Sequence, residues 1–164
     1  MSRSTAPALA VSHGLLRVLI ALNFLAGLFI LALLVTSVVA QPFFIEAMHL
    51  RGPGLLGGRL IMVFGLAGIP LMHLLLTRLL AIVGTVGAGD PFVPLNAQRL
   101  RKCAWALLGL EVLHLLIGAV SAAGTIDIGW DFSPTGLLAV LLLFVLAKVF
   151  AEGARMRDEL EATI

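Results

Sequence analysis

The chain has 164 residues, of which 60% are hydrophobic and 12% charged, with a mean hydropathy of +1.11. A soluble domain carries about 25% charged residues, and burying this much apolar surface in water would need a larger core than such a chain builds, so the bilayer is its natural solvent. The formal net charge of +2 comes without a clustered basic face, which argues against direct nucleic-acid binding, and the lone cysteine excludes an internal disulfide or a cysteine-pair metal site.

Residues 1–14 are polar, small and Pro-containing, and are expected to form a disordered cytoplasmic tail. An apolar run over 15–40 follows, interrupted only by Arg17, Asn23, Thr36 and Ser37. It exceeds the roughly 20 residues a helix needs to cross a bilayer. Val38-Val39-Ala40 resembles a signal-cleavage site. A signal core is only about 7–15 residues long, so the run is expected to be a permanent first span. The first loop, Gln41 to Arg59, is broken by Pro42, Gly52, Pro53, Gly54, Gly57 and Gly58. Within it, Phe43 to Leu50 is expected to make one or two interfacial turns.

The second span covers about 60–82 and contains Pro70, which removes a backbone hydrogen bond and is expected to kink it. Gly65 and Gly68 precede the proline and permit close helix approach. A polar stretch from Gly89 to Lys102 divides the chain into two similar halves. Pro91 and Pro94 turn the chain, and Pro94 suits the first position of a helix that enters the membrane at Trp105. Cys103 reads as a small apolar filler near that helix start, with a reactive thiol beside Lys102 as the competing reading. The third span covers about 104–123, with Gly118 and Ala122 as a small-residue edge. After a loop with Asp127, Trp130 and Asp131, Ser133-Pro134 reads as the cap and first position of a fourth span over about 136–151. Residues 152–164 are expected to extend it as an amphipathic helix. Lys148 and Glu152, Arg155 and Glu159, and Arg157 and Glu161 are spaced i,i+4, and Val149, Gly153, Met156, Leu160 and Ile164 form an apolar stripe. The fold class is all-α: a four-helix transmembrane bundle with a cytoplasmic helical C-terminal extension.

Basic residues mark the cytoplasmic side. The N-terminal region, central stretch and C-terminal region together hold nine of the eleven Lys and Arg residues, leaving only Arg51 and Arg59 elsewhere. Both termini are therefore expected in the cytoplasm of a multi-pass inner-membrane protein. Asp90, Asn96, Arg99, Arg101 and Lys102 form the candidate cytoplasmic site, for anionic lipid headgroups or for a protein partner.

Ionisable residues inside a span are functional candidates by default. His73, Glu111 and His114 qualify. A hairpin centred near Val93 would place His73 level with His114, while Glu111 and His114 share a helix face at i,i+3. Three readings stay open. The histidines ligate haem iron or a metal, the cluster is a proton or small-ligand transport site, or it is a buried hydrogen-bond network worth about 1 kcal/mol per bond. Glu-x-x-His is a di-iron spacing, but it occurs once where such sites need it twice plus two more carboxylates. No cofactor is favoured. Nucleophilic catalysis finds no support: Ser121, Thr125 and Ser133 lack a nucleophile elbow, Glu46 and His49 form only a single pair in a loop, and Gly52 to Gly58 lacks the Lys-Ser/Thr of a phosphate loop. The reading is of a non-enzymatic protein.

Gly89-Asp90-Pro91-Phe92, then Asn96 and Arg99-Leu100-Arg101 before an apolar helix, resembles the central signature of a family of small bacterial membrane proteins, domain of unknown function 2975. The segment from Phe150 to Glu161, closing on Thr163-Ile164, is similar too. The resemblance runs from about Leu15 to Ile164. It implies four transmembrane helices, a bacterial inner membrane, and a role as membrane partner of small helix-turn-helix regulators encoded nearby. It assigns no catalytic residue, and His73, Glu111 and His114 stand outside its pattern. A homodimer is compatible with the lipid-facing surface that four short helices leave.

Overall fold

An apolar chain in lipid must satisfy every backbone N–H and C=O internally, and an α-helix does so. The computed structural model of the protein describes residues 5–47, 54–123 and 134–161. They form α1 (Thr5–Val39), α2 (Gln41–Ala47), α3 (Gly54–Gly87), α4 (Pro94–Ala122) and α5 (Thr135–Glu161), with no strand among the described residues. Four of the five are long and apolar enough to cross a membrane. The fold is an all-α arrangement of four membrane-length helices, and the chain fits a multi-pass membrane protein. His49, the loop residues Thr125, Asp127, Trp130, Asp131 and Ser133, and Ile164 lie outside the described residues.

The helices outrun the apolar runs. α1 starts at Thr5, so residues 5–14 are helical where a disordered tail is expected. α3 continues through Pro70 to Gly87, and α4 begins at Pro94, well before the apolar stretch. Apolarity reports immersion in lipid, whereas backbone hydrogen bonding continues into the headgroup layer. α5 is one helix from Thr135 to Glu161, so the fourth span and its extension form a continuous rod. Of the stretch from Phe43 to Leu50, where one or two turns are expected, residues 43–47 are helical in α2, with Phe44 buried, and residues 48–50 lie outside the described residues.

Packing follows chain order. α1 lies on α3, α3 on α4 and α4 on α5, while α1 and α5 make at most marginal contact. The bundle is therefore an open row. Gly65 faces Ile30 of α1 and Gly68 faces Leu110 and Leu113 of α4, so these two glycines serve the two sides of α3. Asn23 donates to the Ile69 carbonyl at 3.2 Å, and Gly27 faces the Ile69 side chain. At the far end, Arg59 donates to the Ser37 hydroxyl at 3.3 Å and to the Ser37 carbonyl, capping the last turn of α1.

The α3–α4 hairpin pairs Leu71 with Gly109, Leu75 with Cys103, Ala81 with Arg99 and Thr85 with Asn96. Its centre is Asp90, not Val93. His73 is thus level with Leu107 and His114 with Leu66, an offset of about seven residues or roughly 10 Å of rise, and the expected alignment of the two imidazoles does not hold. The cause is the long helical approach on both sides of the turn. The α1–α3 contacts at Gly27–Ile69 and Ser37–Arg59 likewise place Arg17 level with Arg78. Trp105 meets Phe144, and Glu111 meets Gly136, which places Arg101 and Lys102 level with Ala147. Arg17, Arg78, Arg101, Lys102 and Lys148 therefore form one basic belt across four helices. From Arg78 down α3 to Arg59 is about 28 Å of helix rise, close to the roughly 30 Å of bilayer hydrocarbon.

Candidate functional site

The central turn is built as a lock. Asp90 closes α3 through a bond from its N–H to the Thr85 carbonyl at 3.1 Å, and Gly89 takes φ 88°, a left-handed conformation suited to glycine. Pro94 opens α4. Asn96, on the first turn of α4, has no exposed surface. Its amide donates to the Thr85 hydroxyl at 2.7 Å and to the Pro91 carbonyl at 2.9 Å, while its oxygen accepts from Arg99 at 2.9 Å. Arg99 also donates to the Ala81 carbonyl at 3.2 Å. Asn96 thus spends its hydrogen bonds inside the hairpin and is closed to any partner, while Arg99 commits one guanidinium nitrogen there.

The end of α5 seals this turn. The rings of Phe92 and Phe150 lie 5.3 Å apart, and Phe92 occupies the space over Gly153 so closely that an added methyl there would sit 2.9 Å from its ring. Arg157 pairs with Asp90, and both side chains are partly exposed. Arg155 pairs with Glu152 at 2.5 Å and with Glu159 at 3.7 Å. Of the expected i,i+4 pairs, Arg155–Glu159 forms, Glu152 turns to Arg155, and Arg157 reaches across to the turn; the Glu161 side chain lies outside the described residues. The inward face of α5 is Ala147, Phe150, Gly153 and Ala154. Val149, Met156 and Leu160, from the expected stripe, are 55%, 52% and 70% exposed, so this apolar edge points away from the fold.

Arg101 and Lys102 remain exposed. Cys103 and Ala104 of α4 are fully buried, and the Cys103 thiol faces the Leu75 carbonyl of α3 at 3.8 Å. Phe92, Phe150 and Arg157 lie in the stretches that carry the family resemblance, but their contacts with the turn were not legible there, and Thr85 was not singled out at all. Charge complementarity between Asp90 and Arg157 was the available signal, masked by the closer Glu161.

The intramembrane residues part company. The Glu111 carboxylate fills the space above Gly136, against the first turn of α5, where the positive end of the helix dipole favours negative charge. His114 lines an apolar groove of about 250 Å³ with Asn23, Gly65 and Gly68. His73 is exposed on α3. Among the described residues, no three His, Cys, Asp or Glu side chains gather where they could hold a metal ion.

No curated protein and no solved structure matches the chain. A family model does, over residues 46–164. That match begins in α2, so it covers both halves of the lock and leaves α1 outside. The paired turn and α5 are parts of this matched region, and the chain belongs to the family described as Protein of unknown function (DUF2975).

Proposed function

We propose that the chain is a non-enzymatic bacterial inner-membrane protein that acts as a sensor or regulatory partner through a cytoplasmic face made by the central turn and the end of α5. The observation that carries this reading is the Asp90–Arg157 pair together with the Phe92–Phe150 contact. They tie the projecting helix to the turn between α3 and α4, so a protein that moves one moves the other. The exposed edge of Val149, Met156 and Leu160 is apolar surface on that helix which the fold leaves uncovered. Both termini lie in the cytoplasm on this reading, because the basic belt lies at the same end as the turn. A small cytoplasmic helix-turn-helix regulator has the scale of partner that such an edge accommodates.

The test is photo-crosslinking in native membranes from a probe at Met156 or Leu160, with a probe at the lipid-facing Leu141 as reference. A discrete cytoplasmic protein adduct from the first two positions is expected. It should weaken with Arg157→Asp and return when Asp90→Arg is added, because the charge pair is rebuilt. Adducts that survive truncation of the helix after Ala151 together with neutralisation of Arg101 and Lys102, using a probe on the turn at Leu95, would refute the reading.

A further inference from the structure

A cavity of about 590 Å³ opens between the first turns of α4 and the middle of α5, a volume typical of ligand clefts. It exists because Ala97, Ala147, Ala151 and Ala154 face one another with methyl groups only. Its membrane-side floor is Phe144, held edge-on to the exposed Trp105 at 5.5 Å. Its polar wall carries Gln98, Arg101 and Lys148. The cavity also touches Arg155 and Asp158 at its outer mouth. Arg155 is balanced by Glu152 and Glu159. Asp158 lies ten residues beyond Lys148, roughly 15 Å farther from the membrane. Arg101 and Lys148 have no acidic partner among the described residues.

Two unpaired cations thus face a cleft whose lower wall is apolar and whose depth coincides with the basic belt. We infer that this cleft is a binding site for the phosphate of an anionic phospholipid, with Arg101 and Lys148 holding the phosphate, Gln98 donating to headgroup oxygens, and an acyl chain lying along Phe144 and Trp105. A soluble phosphate would satisfy the cations but leave the aromatic floor unused, which favours the lipid as source. Arg17, Arg78 and Lys102 share the depth but not the cleft, so they supply general attraction to the headgroup layer. The cleft shares Arg101 with the face proposed for a protein partner, and the purified chain is therefore titrated with lipid alone.

The experiment uses the purified full-length chain in a neutral detergent, with thermal unfolding followed while phosphatidylglycerol or phosphatidylcholine is added. Phosphatidylglycerol is expected to raise the midpoint and phosphatidylcholine to do little. A surface charge near an anionic membrane gives about a fivefold gain in affinity, so Arg101→Gln with Lys148→Gln should need about thirtyfold more phosphatidylglycerol for the same shift, and Lys148→Gln alone about fivefold more. Arg17→Gln with Lys102→Gln removes the same charge outside the cleft and should cost much less. Equal protection by both lipids, or equal loss in the two double variants, overturns the site. Protection by sodium phosphate beyond that of sodium chloride at matched ionic strength, equal to that of the lipid, assigns the cleft to soluble phosphates and overturns the lipid source. If the groove double variant does not fold, the single Lys148→Gln titration decides by the same criteria.

Discussion

Replacing Asn96 by Ala tests whether the turn is a lock. The side chain is fully buried and makes three hydrogen bonds, to the Thr85 hydroxyl, the Pro91 carbonyl and the Arg99 guanidinium. Two neutral bonds contribute about 1 kcal/mol each, and the charge-assisted one about 1.5–3 kcal/mol. Arg99 keeps its bond to the Ala81 carbonyl, and the Thr85 hydroxyl keeps its bond to the Ile82 carbonyl at 2.8 Å, so two of the three groups retain a partner. Among the described residues the Pro91 carbonyl has no other donor. The expected loss is about 3–4 kcal/mol, below the full sum because of those retained bonds. Asn96→Asp should lose as much, since it preserves the acceptor for Arg99 but sets an oxygen against the Pro91 carbonyl. Thr85→Val removes the bond from Asn96 and the bond to the Ile82 carbonyl and should cost about 1–2 kcal/mol, with a coupling to Asn96→Ala of about 1 kcal/mol for the shared bond. Denaturant unfolding in detergent, followed by far-ultraviolet circular dichroism, measures all of these. A loss below about 1 kcal/mol for Asn96→Ala, or strict additivity with Thr85→Val, would refute the lock.

Two further outcomes follow from the packing. Gly153→Ala places a methyl group against the Phe92 ring and should destabilise by about 1–3 kcal/mol; the loss should largely vanish in a Phe92→Ala background, and its persistence there would remove Phe92 as the cause. Cys103, with no exposed surface, should resist N-ethylmaleimide in native membranes and react fully once the chain is unfolded in dodecyl sulfate, as read by intact-mass shift; rapid labelling of the native protein would contradict its burial.

Four membrane-length helices were legible because each is written as a long apolar run, a signal that depends on composition and not on contacts. Helix ends were less so. Gly84, Thr85 and Gly87 look like breakers in water, yet α3 runs through Gly84 and Thr85 because the neighbouring α4 supplies Asn96 as a partner for the Thr85 hydroxyl. That extension moved the hairpin centre to Asp90 and separated His73 from His114. Asn96 and Arg99 stood out in the sequence, but as surface groups; their inward direction depends on the carbonyls of Ala81 and Pro91, which no local pattern reveals. Asp90 and Arg157 are 67 residues apart, and only the antiparallel register of α4 and α5 brings them together.

The open row has a consequence for how the protein is made. Each long helix packs on the long helix synthesised just before it, and none must wait for a distant partner. α3 emerges to find α1 already present, α4 to find α3, and α5 to find α4. Assembly can therefore keep pace with synthesis, without the closing of long loops that slows folding or the exposed intermediates that invite misassembly. A chain halted at Ala123 would already hold the α1–α3 and α3–α4 interfaces intact, with only the face that receives α5 left bare.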